Sequence, residues 1–466
     1  MSGPARPDLL DRSDDSTPRG RVAAVLGDGT PVMLVGTLVS LVGAYAFQLV
    51  GGRILGPAGF APISVLWTVQ FLVMTVVMVP IEQLVIRRLA LTHGDSAGLR
   101  RSVLPLAGLL LGSAVVVAAV AAALLGRSSA GGPWYVVLAA CLVATYTVFA
   151  VARGYLAGRR QYRRYGVATA AEALARLLLA AAVLLVTSQA AVLGLVLVLA
   201  PLAVLVVRPF ATAPAHPPAG PASGDELTSP LERRLESGPE PGLEAGADLV
   251  GVGTGRFLVP LVVANGASQT VLGAGPMVVV ALGASPATVS IVFLTFTLFR
   301  APSWVIQSAL SRVLPPFTAL AGRPVVLRRW AVRLAAAGLV LAAAGGPVGW
   351  WLGPDLVALL VGADFAPTRP LAALVAAGTA LAAATLFSAQ ILVAVGRTER
   401  VAAAWLLALA VASVTLLVPG PPELRVGVAF LAGELVALAA VSAFAIVGGA
   451  RPTRRSAAHD DGTVHP

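Results

Sequence analysis

Eight charged residues fall inside long apolar stretches of the sequence, where charge is unusual. They are Glu82, Arg153, Glu172, Arg176, Arg256, Arg300, Arg312 and Glu434. In a bilayer each of them is costly unless it faces water or a partner. A guanidinium presents a planar fork that binds phosphate at two points, and in a cleft of low dielectric constant it attracts anions strongly. The excess of arginine over glutamate in this set therefore favours binding of an anionic group.

Polar residues follow the helical period around two of these charges. One set is separated by 3, 4, 3 and 4 residues, which places it on one face of a helix: Thr297, Arg300, Trp304, Gln307 and Ser311. A second set is separated by 4, 7 and 7 residues: Ser64, Thr68, Thr75 and Glu82. Two facing polar stripes would line a central cleft. Because Ser and Thr are also ordinary packing residues between membrane helices, helix packing is the alternative interpretation.

Two acidic residues are placed to neutralise arginines. Glu172 and Arg176 are four residues apart and so can pair on one helix face. Such a pair would either stabilise the structure as a neutral ion pair or separate when an anionic substrate binds the arginine. Glu434 is a candidate partner for Arg300 or Arg256. Three other positions lie near predicted helix ends and are expected to extend to the cytoplasmic interface: Arg153, Arg256 and Arg312.

Composition defines the elements that must position these side chains. Of 466 residues, 57% are hydrophobic and 12% are charged, whereas soluble domains are about 45–50% apolar. The 33 basic residues are all arginine, against 22 acidic residues, which gives a net charge of +11. In an integral membrane protein this excess reflects the positive-inside rule and does not indicate nucleic-acid binding. We therefore predict a multi-pass protein of the cytoplasmic membrane with no nucleic-acid partner.

Catalytic and metal-binding motifs are missing from the sequence. It contains no lysine, and so no Walker A motif, and it has no HExxH motif or paired cysteines. The single Cys141 lies in an apolar run, and the four histidines fall in polar segments. We expect no enzyme activity, no cofactor and no metal. A membrane glycan polymerase or glycosyltransferase remains an alternative, although short outer loops leave little room for clustered carboxylates.

Twelve apolar segments are long enough to cross a bilayer as helices. They are residues 31–52, 61–86, 103–126, 134–157, 165–187, 190–208, 255–280, 286–314, 330–352, 370–394, 400–418 and 426–449. With the N-terminus in the cytoplasm, the even-numbered loops and both termini hold 24 arginines, whereas the odd-numbered loops hold 4. Because a miscounted helix would scramble this asymmetry, we predict twelve spans with both termini cytoplasmic.

A long polar interruption divides the twelve segments into six plus six. It is rich in Pro, Gly, Ala and Glu, a composition typical of a disordered linker. Since each half then starts on the same side, the halves would form a parallel repeat. The predicted organisation is an N-terminal tail (1–30), an N-lobe (31–208), a linker (209–250), a C-lobe (251–449) and a C-terminal tail (450–466).

A Gly/Pro bend recurs on the predicted outer side. RILGPAGFAP spans Arg53 to Pro62, and the shorter VGADFAP spans Val361 to Pro367. Glycine permits the tight reversal, and proline opens the next helix because its missing N–H is not needed there. A weaker copy, ALGASPATVSIVFL, lies at 281–294. These segments predict repeated helix hairpins.

The order of these segments resembles the multidrug/oligosaccharidyl-lipid/polysaccharide (MOP) exporter superfamily, and within it polysaccharide biosynthesis proteins of the lipid-linked oligosaccharide flippase type. Four stretches carry the resemblance: GGRILGPAGFAPISVLW (51–67), VPIEQLVIRRLA (79–90), LTFTLFRAPSWVIQSALSRVLPPFTAL (294–320) and LLVGADFAPTRPLAALVAAG (359–378). The resemblance extends from about residue 31 to residue 450. Where relatives often place Asp or another charge in the seventh span, this chain has Asn265 and Gln269.

The resemblance implies an all-α, MATE-like membrane fold of two six-helix lobes that alternate between inward-open and outward-open states. It also implies flipping of a lipid-linked oligosaccharide or polysaccharide precursor, with membrane lipids and glycan-assembly proteins as partners. The expected cavity residues are Arg300, Thr297, Gln307, Ser311, Glu82, Thr75, Asn265, Gln269, Arg176, Glu172, Glu434 and Arg256. The expected outer-hairpin residues are Arg53, Gly56, Phe60, Gly362 and Phe365. Cation-coupled multidrug efflux and a non-transporting scaffold are the alternatives.

Overall fold

The computed structural model describes residues 30–79, 132–159, 161–210, 262–301 and 323–448, with scattered positions in 81–89 and 108–119 and at 260, 317 and 320. Within this part of the chain every regular element is helical. Eight helical stretches are long and apolar enough to cross a bilayer, with Pro31–Val76 counted as one, and the apolar helix Pro286–Phe299 is shorter. The described chain is thus an all-α, multi-pass membrane protein.

The first helical stretch, Thr30–Val73, is a hairpin of two helices. Its one non-helical residue is Gly56, with φ 67° and ψ 171°. The rings of Phe47 and Trp67 stack with their centroids 5.2 Å apart, whereas twenty residues of straight helix would extend about 30 Å. The chain therefore reverses at Gly56, as the Gly/Pro bend predicts. We call residues 30–55 α1 and residues 57–73 α2; a π-helical turn, Met74–Met78, continues α2.

The other helices that the structure describes in the first half lie close to their predicted segments. They are α3 (Gly132–Gly158), α4 (Tyr162–Val186) and α5 (Ala190–Leu199), which a 3₁₀ helix, Ala200–Val207, prolongs. α1 packs along α4 at very short range, since a Cβ placed on Gly36 would lie 2.2 Å from the carbonyl oxygen of Gly166. Small residues at this crossing let the two backbones approach.

The second half contains seven described helices. They are α6 (residues 262–273), α7 (Gly275–Ala281), α8 (Pro286–Phe299), α9 (Pro324–Leu360), α10 (Arg369–Ala394), α11 (Thr398–Thr415) and α12 (Pro422–Gly448).

Two predicted spans in this half need correction, and the end of a third is not tested. The seventh span is not continuous: it breaks at Ala274, because Pro276 cannot continue the hydrogen-bond ladder of α6. The helix that begins the eighth span ends at Phe299, and the predicted end of that span at residue 314 lies outside the described residues. α9 is longer than the predicted 330–352, because its first turns carry arginines that a hydropathy criterion excludes.

The helices up to residue 207 pack mainly on one another, and those from residue 262 do the same. We call these groups the N-half and the C-half. Most contact between them is made by the α1–α2 hairpin against α8. Residues 211–250 and most of the predicted third span lie outside the described residues, as do nearly all of both predicted tails, so the predicted domain boundaries remain predictions.

Candidate functional site

A cavity of about 350 Å³ lies between the two halves. Its N-half wall comes from α1, α2, α3 and α4, and its C-half wall comes from α6, α7, α8 and Arg300, the residue after α8. Five of the predicted cavity residues line it: Thr75, Glu172, Arg176, Thr297 and Arg300. The volume is at the small end of the range for ligand sites, about 300–1,000 Å³.

A buried hydrogen-bonded group, which we call the Glu172 cluster, forms one part of the N-half wall. It contains Gln70, Tyr146, Glu172 and Arg176. The Arg176 guanidinium lies 3.0 Å from the Glu172 carboxylate, so the predicted pair is present. The Tyr146 hydroxyl donates to Glu172 at 3.0 Å and accepts from Gln70 at 2.6 Å. Because the pair is almost fully buried, these additional hydrogen bonds are needed to offset its desolvation.

Aromatic rings hold the Arg176 guanidinium in place. Its central carbon lies 4.9 Å from the centroid of the Trp67 ring, and Phe47 is stacked on Trp67. A cation over a desolvated indole contributes about 2 kcal/mol. The carboxylate and the ring together therefore fix Arg176 in one geometry.

A second group, the Glu82 cluster, contains Glu82, Arg153 and Tyr165. Arg153 lies 3.4 Å from the Glu82 carboxylate, which also accepts a hydrogen bond of 3.0 Å from the Tyr165 hydroxyl. The guanidinium is hydrogen-bonded to Tyr165 and lies over the rings of Phe149 and Tyr165. Arg153 lines the cavity, whereas Glu82 does not. The expectation that Arg153 extends to the membrane interface is therefore wrong, because Glu82 and two aromatic rings hold it inside the N-half.

Arg300 is the charged residue of the C-half wall. It follows α8 directly and has φ −84° and ψ −3°. Its Nη1 donates to the carbonyl oxygen of Leu272 at 2.5 Å, its guanidinium lies 5.1 Å from the Phe71 ring centroid, and its buried Nε has no hydrogen-bond partner. It forms no ion pair with a described residue. Arg300 is thus anchored by a backbone carbonyl and keeps donor capacity.

Glu434 does not pair with Arg300 in the described part of the chain. It lies in α12 with none of its surface exposed, and neither carboxylate oxygen has a hydrogen-bond partner. It is also absent from the cavity lining. Arg300 and Glu434 therefore make no direct contact, although their charges interact at longer range.

The other predicted cavity residues are dispersed. Asn265 donates from its side chain to the carbonyl oxygen of Thr75 at 2.9 Å, a contact between the halves at the π-helical turn. Gln269 is buried away from the cavity lining, and its Oε1 has no partner. In the second-span stripe, Thr68 and Thr75 line the cavity but Ser64 is fully buried. Three predicted cavity residues lie outside the described residues, namely Arg256, Gln307 and Ser311, as do Trp304 of the eighth-span stripe and Arg312.

The two predicted outer hairpins contact each other. Arg53 donates from Nε to the carbonyl oxygen of Val361 at 3.1 Å, and from Nη2 to that of Leu359 at 2.7 Å. These carbonyls belong to the C-terminal end of α9, where orphan acceptors and the helix dipole favour a cation. We call this contact the outer clasp. Gly362, with φ 142°, turns the chain immediately after it.

Aromatic packing lies beneath the outer clasp. The rings of Phe60 and Phe293 have centroids 6.2 Å apart, and both Phe60 and Phe365 are almost completely buried. A Cβ on Gly52 would lie 3.6 Å from the Phe365 ring and 3.1 Å from Val361. All five predicted outer-hairpin residues therefore lie at or near one contact between the halves.

Sequence reasoning missed several residues of the N-half wall, although a signal for them exists. Tyr146, Phe149 and Arg153 are separated by 3 and 4 residues and share one face of α3. The same period applies to a stripe on the first span, all of whose members line the cavity: Thr37, Leu41, Ala44, Tyr45 and Gln48. A search for mixed aromatic and polar stripes would have found both sets.

No protein-family model matches the chain. Two uncharacterised proteins, one from Mycobacterium bovis and one from Mycobacterium tuberculosis, are each 26% identical to it over 425 residues, which is 86% of this chain and 88% of theirs. A solved inward-facing structure of a multidrug resistance MATE family transporter of the MOP superfamily matches with a TM-score of 0.61 and 13% identity, covering 90% of this chain and 97% of that one.

A solved outward-facing structure of a multidrug resistance MATE family transporter of the MOP superfamily matches with a TM-score of 0.50 and 14% identity, covering 91% of this chain and 93% of that one. The chain therefore has the fold of MATE transporters of the MOP superfamily. The predicted fold class is confirmed, whereas the flippase subtype remains a prediction.

Proposed function

We propose that this protein is a transporter that moves an anionic, lipid-linked glycan precursor across the membrane by alternating access. The transported head group would occupy the cavity between the halves, while its lipid tail stays in the bilayer. Arg300 carries the proposal: it lines the cavity, and it alone among the arginines of the described lining forms no ion pair with a described carboxylate.

The charge balance of the lining supports an anionic substrate. Three arginines line the described cavity, Arg153, Arg176 and Arg300, against one glutamate, Glu172. The nearby Glu82 neutralises Arg153, so a net positive charge remains on the C-half wall. A guanidinium with spare donors in a partly dehydrated cleft binds a phosphate or diphosphate group at two points.

The outer clasp supports alternating access. With Arg53 bound to the end of α9, the N-half and the C-half are joined on the predicted outer side. Release of a substrate on that side requires these contacts to part. The hydrogen bonds involve an exposed arginine, so they are weak enough to break and re-form in each cycle.

Multidrug efflux is the second candidate, because the solved structures that share the fold are described as multidrug resistance transporters. A cationic drug would need a carboxylate that faces it without a competing arginine. Both acidic residues of the described N-half wall region, Glu82 and Glu172, are already paired with arginines. This pairing favours the anionic substrate.

The substitution Arg300→Ala tests the proposal in proteoliposomes that contain a fluorescent polyprenyl-diphosphate oligosaccharide. We expect loss of flipping by at least about tenfold, since a charged hydrogen bond contributes about 1.5–3 kcal/mol. Arg300→Lys should recover only part of the rate, because an ammonium lacks the planar fork. Arg163→Ala is the matched control, since Arg163 is exposed and does not line the cavity.

Full flipping by a stably folded Arg300→Ala protein would overturn the assignment. Efflux of a cationic dye that persists in Arg300→Ala, combined with no flipping by the unaltered protein, would favour the multidrug alternative instead.

A further inference from the structure

The first turns of α9 carry a cluster of arginines that the transport cavity does not use. Four exposed arginines lie within eleven consecutive positions, from the residue before α9 onward, and we call them the arginine patch: Arg323, Arg328, Arg329 and Arg333. None of them forms an ion pair with a described residue. The patch therefore presents four positive charges on a short stretch of helix surface.

The length of α9 places this patch at a membrane interface. The helix has 37 residues, and at 1.5 Å per residue it is about 55 Å long, whereas the hydrocarbon core is about 30 Å thick. Trp330 and Trp350 are 40% and 39% exposed. They lie twenty residues apart, or about 30 Å along the axis. Exposed tryptophans concentrate at the two boundaries of the hydrocarbon core, so Trp330 marks the boundary next to the patch.

The arginines continue directly into a lipid-facing apolar stripe. Arg329, Val332, Ala336 and Leu339 are separated by 3, 4 and 3 residues and are all exposed, so they share one outward face of α9. Arg333 lies beside this stripe, with its guanidinium 6.0 Å from the Trp330 ring centroid. A phospholipid whose phosphate is bound by the arginines would have its acyl chains along Val332 and Leu339.

We propose that the arginine patch binds the head group of an anionic phospholipid, independently of the transport cavity. Two phosphate oxygens accept hydrogen bonds from Arg328 and Arg329, Arg333 adds charge, and Trp330 packs against the glycerol region. Continuity with the exposed apolar stripe favours a lipid over a soluble anion, because only a lipid covers both parts. The acidic stretch of the chain at 225–248 is the competing occupant, and it has no aromatic side chain to cover Trp330.

The test compares two arginine pairs at helix starts. Arg328→Gln with Arg329→Gln removes two charges from the patch, and Arg163→Gln with Arg164→Gln removes two from the exposed start of α4. Native mass spectrometry of the purified full-length protein measures retention of phosphatidylglycerol relative to phosphatidylcholine with the same acyl chains. Two arginines at a membrane surface correspond to a roughly 30-fold loss of apparent affinity for phosphatidylglycerol in the patch variant. The α4 variant should retain the lipid.

Three outcomes decide the proposal. Equal retention of phosphatidylglycerol by the two glutamine variants would overturn it, because the preference would then come from overall positive charge. Arg328→Lys with Arg329→Lys should keep most of the preference, which separates loss of charge from misfolding. Unchanged lipid retention together with faster proteolysis within 225–248 in the patch variant would assign the patch to the acidic stretch and overturn the lipid site.

Discussion

The arginines in the two walls of the cavity have different partners. In the N-half, Arg176 and Arg153 are each paired with a glutamate, bonded to a tyrosine hydroxyl and packed on aromatic rings. In the C-half, Arg300 is held by one backbone carbonyl, while Glu434 is buried without a hydrogen bond. A membrane-depth arginine thus has two uses: one that is neutralised organises helix packing, and one without a carboxylate contact remains available to a ligand.

The difference between Arg176 and Arg300 follows from burial. A fully buried ion pair is stable only when further hydrogen bonds satisfy its remaining donors and acceptors. Tyr146 and Gln70 supply them to the Glu172 cluster. Arg300 is only partly buried and lines the cavity, so water or a substrate can complete its hydrogen bonds. The charge of the Glu172 cluster is therefore balanced within the N-half, whereas the charge of Arg300 faces the cavity.

The largest effect should come from breaking the Glu172 cluster. Arg176→Ala leaves the Glu172 carboxylate buried without its counter-charge, and loss of one partner of a buried pair costs about 3–5 kcal/mol. Thermal unfolding in detergent should show a large decrease in the melting temperature. The double change Glu172→Ala with Arg176→Ala should recover part of it. Arg300→Ala, measured in the same way, should destabilise less, and an equal loss would contradict the contrast between the walls.

Two matched glutamate-to-glutamine substitutions, one in each half, should have intermediate effects on the free energy of unfolding. Glu172→Gln weakens bonds to Arg176 and Tyr146, at about 1.5–3 kcal/mol for a hydrogen bond to a charged group. Glu434→Gln removes no hydrogen bond, since the Glu434 carboxylate makes none, and should change the free energy of unfolding by less than about 1 kcal/mol. Urea titration of both variants checks the order. A larger loss for Glu434→Gln would show that this carboxylate has an essential partner.

The smallest effect on stability should come from removing the outer clasp, although its removal should let the two halves part on the outer side. Arg53→Ala removes a cation from the C-terminal end of α9, worth about 0.3–1 kcal/mol at an exposed site. We expect up to a fivefold rise in the population with parted outer hairpins. Spin labels at Ala58 and Ala363, on a Cys141→Ala background, report this as a longer inter-label distance. Arg53→Lys should give an intermediate shift, and an unchanged distance distribution would show that aromatic packing alone closes the outer side.

Features that depend on local spacing could be predicted from the sequence. Apolar length placed most of the helices, such as α10 at the predicted 370–394, because crossing a bilayer requires about 20 apolar residues. Gly56 and Gly362 marked two reversals, because glycine tolerates the positive φ that they require. The Glu172–Arg176 pair could be predicted because residues four apart on one helix always share a face.

Contacts between residues far apart in the chain could not be predicted from the sequence and depend on the tertiary structure. Arg153 binds Glu82 across 71 positions, Arg53 reaches the end of α9 across 306 and 308 positions, and Arg300 bonds to the carbonyl of Leu272 instead of Glu434. Helical spacing fixes the face on which a side chain lies, but not how each helix rotates about its axis or where it breaks. Packing at close contacts such as Gly36 with Gly166 sets that rotation, and with it which arginines of the cavity lining meet a carboxylate and which one does not.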